Sequence, residues 1–416
     1  MVDDALWQPA GAPRRAFLAG CLADLDERTG GRLVVRRGRP REVVALVARE
    51  TEAAAVYVSA DFGPYGRIRD QAVAEEAALT AVGSPYAVDP GEIRSAAGEP
   101  YKVFTPFYRA WREYGWGQPA EPPQGVRWAG GVPSDGPPPA PDDLTAALPP
   151  AGEGAGRRRL DDFLVAVADY HRHRDRPDLD TTSRLSPYLK FGCLHPRQVL
   201  ARLGRSAGAE KLRRELAWRE FYADVLWRRP ESARQALQPA MRFIEVDRGP
   251  RTDARFEAWA EGRTGYPIVD AGLRQLRAEG WMPNRVRMVV ASFLVKDLHV
   301  DWARGAAWFM EGLVDGDLAS NQHNWQWVAG TGTDPAPFFR IFNPVTQGKE
   351  HDPHGDYVRR WVPELAGVAG AAAHEPWKAP AAARLGYPDR IVDHAEERRE
   401  ALARYGAIRE GRRARG

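Results

Sequence analysis

One predicted helix carries polar side chains on a single face of an otherwise apolar segment. Asn284, Arg287 and Met288 stand at positions i, i+3 and i+4, so an amide, a guanidinium and a thioether share that face. A buried arginine needs an anionic partner. Asp315 and Asp317, in an acidic loop further along the chain, offer two carboxylates. We therefore expect this helix and this loop to meet.

The helix that follows the acidic loop continues the pattern. Asn321 lies four residues after Asp317, and Trp325 lies four residues after Asn321. This spacing puts a carboxylate, an amide and an indole on one helical face.

A hydroxyl-rich segment precedes another short predicted helix. Residues 180–190 read DTTSRLSPYLK. Hydroxyls and free backbone N–H groups at a helix start can bind a phosphate. From these residues alone, ordinary capping by Thr182 or Ser183 is the simpler interpretation.

A third helical segment combines a carboxylate, an indole and a guanidinium. Glu215, Trp218, Arg219 and Tyr222 stand at i, i+3, i+4 and i+7 and share a face. Such a face can be a solvated stripe, but a tryptophan there favours a surface that something else covers. The residues leave both interpretations open.

Composition excludes several classes of protein. The 416 residues carry a net charge of +3, so a nucleic-acid surface would have to be a local patch. Two cysteines without ligand spacing suit a reducing cytosol and exclude a disulfide framework. No apolar run is long enough to span a membrane, and the N-terminus lacks a signal-peptide pattern. Three histidines, His323, His351 and His354, give weak support for a metal site, and we predict none.

The elements that position these residues fall into two regions. Helical and strand patterns alternate up to residue 118, with strands expected at 31–36, 54–59 and 85–88, which predicts a parallel sheet flanked by helices. A Pro- and Gly-rich linker follows over 119–157. From 158 to 416 the pattern is helical, beginning with a helix over 160–172. The sequence therefore predicts an α/β domain, a linker and an all-helical domain.

Three motifs in the helical region occur together in a known family. WMPNRVRM begins at Trp281, ASFLVKDL follows at Ala291, and DGDLASN with WQW runs from Asp315 to Trp327. In order and spacing they resemble the flavin-binding core of the photolyase/cryptochrome family, and the resemblance extends over roughly residues 5–405. It implies a doubly wound antenna domain before a helical FAD-binding domain. The start of the chain resembles the second strand region, so we expect the first βα unit to be missing.

The resemblance assigns roles to individual residues. Those implied to bind FAD are Tyr170, Thr182, Ser183, Arg184, Leu185, Ser186, Glu215, Asn284, Arg287, Asp315, Gly316, Asp317 and Asn321. Those implied to act on the substrate are Glu215, Trp218, Met288, Asn321 and Trp327. The residues implied to contact DNA are Trp218, Arg219, Arg285, Arg340 and Gln347, the last two in the family-like segment 339–349.

Electron supply and light harvesting are less completely matched. Trp325 and Trp302 match the first two tryptophans of the family's photoreduction chain, but the third position, near Gly249, holds none. Whether Trp259 or Trp227 replaces it stays open. The segment 61–67, DFGPYGR, resembles part of an antenna site for a deazaflavin or a folate.

The function that the resemblance implies is repair of cyclobutane pyrimidine dimers in DNA, driven by light through reduced FAD, as in class I photolyases. The implied partner is UV-damaged DNA, and we expect a monomer in the cytoplasm, associated with the nucleoid. One alternative is repair of 6-4 photoproducts, although Asn284 and Met288 occupy positions where that chemistry uses histidines. The other is a cryptochrome, a blue-light receptor without repair activity, which Asn321 disfavours. A flavin-binding paralogue without activity is a further alternative.

Overall fold

The computed structural model describes residues 1–333, 340–378, 384 and 386–413. Helices dominate these residues, and two short parallel strands form a small sheet near the N-terminus. This agrees with the predicted class, an α/β region followed by an all-helical region. None of the helices in these residues is both long and apolar enough to cross a membrane.

The N-terminal region alternates helices with two strands. The helices are α1 (Asp4–Trp7), α2 (Ala12–Arg28), α3 (Pro40–Glu50), α4 (Pro64–Ala74) and α5 (Phe104–Tyr114), and the strands are β1 (Val56–Val58) and β2 (Leu79–Ala81). The strands pair in parallel, with Val56 opposite Leu79. An isolated parallel bridge joins Val2 to Arg37. Proline at the first helical turn of α2, α3 and α4 favours their start points, because a proline there loses no helical hydrogen bond.

Two of the three predicted strands are wrong, and their hydrogen bonds explain why. In segment 31–36, the N–H of Val35 donates to Ser134 Oγ and its carbonyl accepts from Asp135, at 2.9 and 2.7 Å. In segment 85–88, the N–H groups of Ala87 and Val88 donate to the carboxylate of Glu220, at 2.6 and 3.1 Å. Each backbone finds partners in distant segments, so no strand ladder is needed. Of the three segments predicted to be strands, 54–59 alone contains one, β1.

The linker has no helix or strand from residue 115 to 152, and it is fastened to both regions. Besides the bonds of Ser134 and Asp135, the N–H of Ala147 donates to the carbonyl of Ala278 at 2.7 Å. The next helix begins at Glu153, earlier than the expected residue 160. At this start point the N–H of Glu153 donates to the carboxylate of Asp24 at 3.1 Å. The domain boundaries themselves stay predictions.

The C-terminal region consists of helices. They are α6 (Glu153–Ala166), α7 (Tyr170–His173), α8 (Ser186–Lys190), α9 (Pro196–Arg202), α10 (Ala207–Arg228), α11 (Pro250–Ala260), α12 (Pro267–Glu279), α13 (Asn284–Lys296), α14 (Trp302–Gly312), α15 (Leu318–Ala329), α16 (Pro344–His351), α17 (Asp356–Trp361) and α18 (His394–Arg413). Short 3-10 helices cover Val167–Asp169, Pro230–Ala233, Pro239–Phe243, Pro363–Leu365, Gly370–His374 and Pro376–Lys378.

Two apolar cores hold these helices. One lies among the C-terminal helices and includes the fully buried Trp259 and Phe293. The other joins the N-terminal region to α6 and α10, through residues such as Phe17, Trp111 and Phe221. Because this second core draws on both regions, the α/β part packs directly against the helix that carries Glu215 and Trp218.

Candidate functional site

A large cavity lies between α10, α13, α15 and the segment 180–186. Its volume is about 460 Å³, within the roughly 300–1,000 Å³ of small-molecule sites. A smaller recess of about 80 Å³ adjoins it, and the two share lining residues from α13 and α15. Most residues to which the resemblance assigns a role line one of these spaces.

The predicted face of α13 lines the cavity. Asn284, Arg287 and Met288 all border it, while Val289 and Phe293 on the other side are buried in the core. The i, i+3, i+4 spacing therefore places these three polar or polarisable groups together, as expected.

Arg287 meets the acidic loop, as the sequence predicts. Its Nη2 donates to Asp315 Oδ2 at 2.8 Å, and its Nε donates to the carbonyl of Met282 at 2.9 Å. The Asp315 side chain is only 3% exposed, whereas that of Arg287 is 24% exposed. The second carboxylate oxygen of Asp315 is buried and has no hydrogen-bond partner among the described residues. Asp315 can therefore accept a further hydrogen bond from a bound group.

Asp317 lies directly before α15 and faces Lys190. Its carboxylate accepts from the Ser320 N–H at 2.8 Å, which caps the helix. Lys190 Nζ lies 4.0 Å away. Burial alone would raise the pKa of Asp317, but the positive charges of Lys190 and Arg219 outweigh it and lower that pKa. Asp317 therefore stays ionised beside the cavity.

Asn321 and Trp325 continue this face into the smaller recess. The Asn321 amide nitrogen donates to the carbonyl of Ala306 at 3.0 Å. Trp325 is 2% exposed, and its indole N–H has no acceptor among the described residues. Gly305 of α14 makes room for this ring, since a Cβ there would lie 2.6 Å from Cζ3 of Trp325. Close packing of α14 on α15 thus fixes the indole at the wall of the recess.

The segment 180–186 is held in place by arginines. Arg159 donates to the carbonyls of Thr182 and Ser183 at 2.7 and 2.8 Å. Arg184 adopts a left-handed φ of 50°, and its guanidinium lies 4.4 Å from the ring centre of Trp281. The Thr182 hydroxyl is buried and has no partner within the described residues. Leu185 and Ser186 line the same wall, as does Tyr170.

On α10, Glu215 and Trp218 form the opposite wall. Arg174 Nη1 donates to the Glu215 carboxylate, and Lys211 lies 3.8 Å from it. Trp218 stacks on Phe104, with ring centres 3.7 Å apart and planes within 10°. One face of the indole is therefore covered from within, and only the other can meet a ligand. Trp327 of α15 is half-buried and lines the same cavity.

The four predicted DNA-contacting residues other than Trp218 differ in their surroundings. Arg219 donates to the carbonyls of Pro85 and Leu189, at 2.8 and 3.3 Å, so it holds segments of this chain together. Arg285 donates to Asp175 at 3.0 Å and borders the cavity. Arg340 and Gln347 do not line it; Arg340 is exposed, and Gln347 bonds Glu350 at 3.2 Å. Phe339, at the start of that family-like segment, lies outside the described residues.

Sequence reasoning missed the residues that hold the others in place. Arg159, Arg174 and Asp175 act through contacts between elements far apart in the chain, and no short spacing indicates such contacts. Trp281 is the first residue of the WMPNRVRM motif, but its contact with Arg184 depends on the fold. His323 is buried, and burial lowers its pKa to about 4. Within the part of the chain that the structure describes, no group of three metal-binding side chains occurs.

Both regions of the chain match models of known protein families. Residues 1–124 match the model described as DNA photolyase, and residues 212–407 match the FAD binding domain of DNA photolyase.

Individual relatives agree with that match. The chain is 46% identical over 406 residues to the deoxyribodipyrimidine photo-lyase of Streptomyces griseus, covering 92% of this chain and 87% of the relative. The solved structure of a class III photolyase from Agrobacterium tumefaciens has a TM-score of 0.88 and 37% identity, covering 96% of this chain and 89% of that chain. A cryptochrome from Synechocystis sp. PCC6803 has a TM-score of 0.83 and 26% identity, covering 97% and 92%.

The chain therefore belongs to the photolyase/cryptochrome family. As an enzyme it is a DNA photolyase, and FAD is its cofactor. Class I membership, which the motifs indicate, stays a prediction, since the similar Agrobacterium structure is of class III.

The cavity fits FAD on its own chemistry. A flavin nucleotide offers a ring with hydrogen-bonding edges, hydroxyls and an anionic pyrophosphate. The cavity offers a buried carboxylate oxygen on Asp315 and a buried hydroxyl on Thr182, both without partners among the described residues. Buried polar atoms of this kind are rare in native proteins unless a bound group satisfies them. Cations such as Lys190 and Arg174 border the same space and suit phosphates.

Proposed function

We propose that this chain repairs cyclobutane pyrimidine dimers in DNA by light-driven electron transfer. When bound, excited reduced FAD supplies one electron to the dimer, whose ring opens before the electron returns. The observation that carries the proposal is one continuous cavity, lined by the hydroxyl-rich segment 182–186 and also by the aromatic and carboxylate side chains of Trp218, Trp327 and Glu215.

The cofactor would occupy the deeper part of this cavity. Thr182, Ser183 and Ser186 would receive the pyrophosphate, with Lys190 nearby as a cation. Arg287 and Asp315 would border the flavin ring, and the unpaired Asp315 oxygen would accept a hydrogen bond from it. Asn321, whose amide nitrogen is held by Ala306, would face the ring with its oxygen. These roles are supported by the lining residues and by the unpaired buried atoms.

The dimer would enter the mouth of the same cavity. The two linked pyrimidines must leave the duplex to reach the cavity. This costs a few kcal/mol, and it costs less for a lesion that already distorts the duplex. Stacking on the open face of Trp218 and on Trp327 would return roughly 1–3 kcal/mol per base. Glu215, oriented by Arg174, would accept hydrogen bonds from the lesion N–H groups. Asn284 and Met288 would line the remaining side.

DNA would be held at its phosphates by cations around the mouth. Arg285 borders the cavity, and its Nε is buried without a partner among the described residues, so only part of its guanidinium is committed to Asp175. Arg340 and Gln347 would contact the duplex outside the cavity. For Arg219, whose Nη atoms already bond two carbonyls, a structural role is the better supported one.

Light-dependent repair by the purified protein tests the proposal. The flavin is reduced with dithionite, and an oligonucleotide with one thymine dimer is illuminated with blue light beside a dark sample. We expect the dimer to disappear only in the light. Retained FAD without repair of this lesion or of a 6-4 photoproduct would favour a cryptochrome. The similarity to the Synechocystis cryptochrome is the observation behind this second candidate.

A binding measurement separates the lesion site from general DNA affinity. Trp327→Leu should weaken binding of dimer-containing DNA by about 1–3 kcal/mol and leave undamaged DNA unaffected. Trp361→Leu is the matched control, because Trp361 is also half-buried but does not line the cavity. Equal losses in the two variants would remove Trp327 from the lesion site.

A further inference from the structure

The two cysteines of the chain lie side by side, although they are far apart in the sequence. Cys21 belongs to α2, and Cys193 lies in the turn between α8 and α9, 172 residues further on. Their Sγ atoms are 3.4 Å apart, and both residues carry free thiols. Within the described residues they join no group of three metal-binding side chains, so a metal site does not explain their contact.

One face of α2 fixes the position of Cys21. Phe17, Cys21 and Asp24 stand at i, i+4 and i+7, so they share this face. The ring centre of Phe17 lies 5.7 Å from that of Tyr188, and the Asp24 carboxylate accepts from the N–H of Glu153 at 3.1 Å. Contacts about one helical turn before and after the Cys21 thiol therefore hold it against the helical region.

A tight turn brings Cys193 towards the same face. Gly192, directly before it, has a φ of 73°, a left-handed conformation that glycine adopts without a steric penalty. The ring centre of Phe191 lies 5.2 Å from that of Phe17. Packing on both sides thus determines the contact between the two sulfur atoms, which does not depend on two freely rotating side chains.

The two thiols differ in exposure and in affinity for a proton. Cys193 is 7% exposed, whereas Cys21 is half-buried. The hydrogen bond between the sulfurs lowers the pKa of Cys193, although burial opposes this effect, and it raises the pKa of Cys21. Because the thiolate is the nucleophilic form of cysteine, Cys193 is the group that reacts first, and Cys21 is the thiol in position to react with it next.

We propose that Cys21 and Cys193 form a redox-active pair that peroxides oxidise to a disulfide. With hydrogen peroxide, the Cys193 thiolate attacks one oxygen and the O–O bond breaks. Hydroxide leaves and takes up the proton that Cys193 had released, which leaves a sulfenic acid on Cys193. The Cys21 sulfur then attacks the Cys193 sulfur, an S–S bond forms, and the sulfenic hydroxyl leaves as water with the Cys21 proton. The pair loses two electrons and two protons, and the peroxide becomes two waters.

A bridge at this position joins the N-terminal region to the wall of the large cavity. Cys193 lies shortly after α8, and Ser186, Leu189 and Lys190 of α8 line that cavity. A disulfide stabilises a folded chain mainly by restricting the unfolded one, and the effect grows with the length of chain that it closes. The oxidised protein should therefore retain FAD to a higher temperature than the reduced protein. This inference goes beyond the repair reaction and does not depend on it.

Peroxide treatment of the holoenzyme tests the pair. Protein with oxidised flavin is incubated with hydrogen peroxide, the peroxide is removed with catalase, and the free thiols are counted after unfolding. We expect both thiols to disappear, the intact mass to lose two hydrogen atoms, and dithiothreitol to restore both thiols. On heating, the fluorescence of released FAD should appear about 2–5 °C later in the oxidised protein. Cys21→Ser should show neither the loss of two hydrogen atoms nor the shift in temperature.

Four results would contradict the proposal. They are two free thiols after peroxide, oxygen added to Cys193 without a bridge, a disulfide only between two copies of the chain, or equal temperatures of FAD release in oxidised and reduced protein. Cys21 is half-buried, so Cys21→Ser changes little packing, and Cys193→Ser provides a second variant without the bridge. A peroxide-dependent shift that persists in both variants would assign it to another oxidised residue. None of these readouts uses dimer repair, so a failure here is distinct from a failure of the proposed function.

Discussion

Replacing Arg287 by methionine should destabilise the protein because it leaves a buried charge without its partner. Methionine keeps much of the apolar stem of arginine, so lost packing contributes little. Asp315 is 3% exposed in its side chain and depends on Arg287 for its charged partner. Removing one member of a buried ion pair costs roughly 3–5 kcal/mol, and the 24% exposure of Arg287 favours the lower end, about 3 kcal/mol.

Urea unfolding of the apoprotein measures this loss without a contribution from FAD. Arg172→Met is the matched control, since its ion pair with Asp169 is 69% and 56% exposed and should contribute less than about 1 kcal/mol. The double variant Arg287→Met with Asp315→Asn should recover part of the stability, because the unpaired charge is gone. Equal losses for Arg287→Met and Arg172→Met, or no recovery in the double variant, would refute this account of the pair.

Three further changes have measurable consequences. Glu215→Gln should slow dimer repair by chemically reduced protein and leave FAD content intact; an unchanged repair yield would remove Glu215 from the reaction. Since burial lowers the pKa of His323 from 6.5 to about 4, the unfolded chain binds more protons than the folded one between these values. The free energy of unfolding should therefore fall by roughly 3 kcal/mol as the pH drops from 6.5 to 4, a loss absent from His323→Leu. Gly305→Ala should cost about 1–3 kcal/mol and lower FAD content by displacing Trp325, whereas Gly367→Ala, with open space around it, should do neither; equal unfolding curves would contradict that packing.

The sequence predicts the parts of this site that depend on helical spacing. Asn284, Arg287 and Met288 share a face because three and four residues make one helical turn, whatever the fold around them. The spacing also limits the partner of Arg287 to two carboxylates, Asp315 and Asp317, since a buried guanidinium needs an anion. The structure selects Asp315, whose Oδ2 lies 2.8 Å from Arg287 Nη2.

Contacts between distant segments were not predictable in this way. The segment 85–88 has the apolar composition of a strand, yet its N–H groups bond Glu220, whose pKa burial raises to about 7. Likewise, nothing in the spacing of Arg174 along the chain indicates its ion pair with Glu215. Such pairs depend on how helices pack, and a pattern within one segment carries no information on its neighbours in space.

Positive charge is concentrated around the large cavity, although the composition of the whole chain indicates only weak attraction for DNA. The whole chain has a net charge of only +3, which alone gives weak attraction for DNA. Seven Lys or Arg side chains and four Asp or Glu side chains line the large cavity, an excess of three positive charges in one place. They are Arg174, Arg184, Lys190, Lys211, Arg219, Arg285 and Arg287, against Asp175, Glu215, Asp315 and Asp317. The local field therefore favours an anionic cofactor and nearby phosphates, although most of the surface is balanced. Because exposed charges are screened within about 10 Å at 0.1 M salt, DNA affinity should fall steeply with added salt, while tightly enclosed FAD should stay bound.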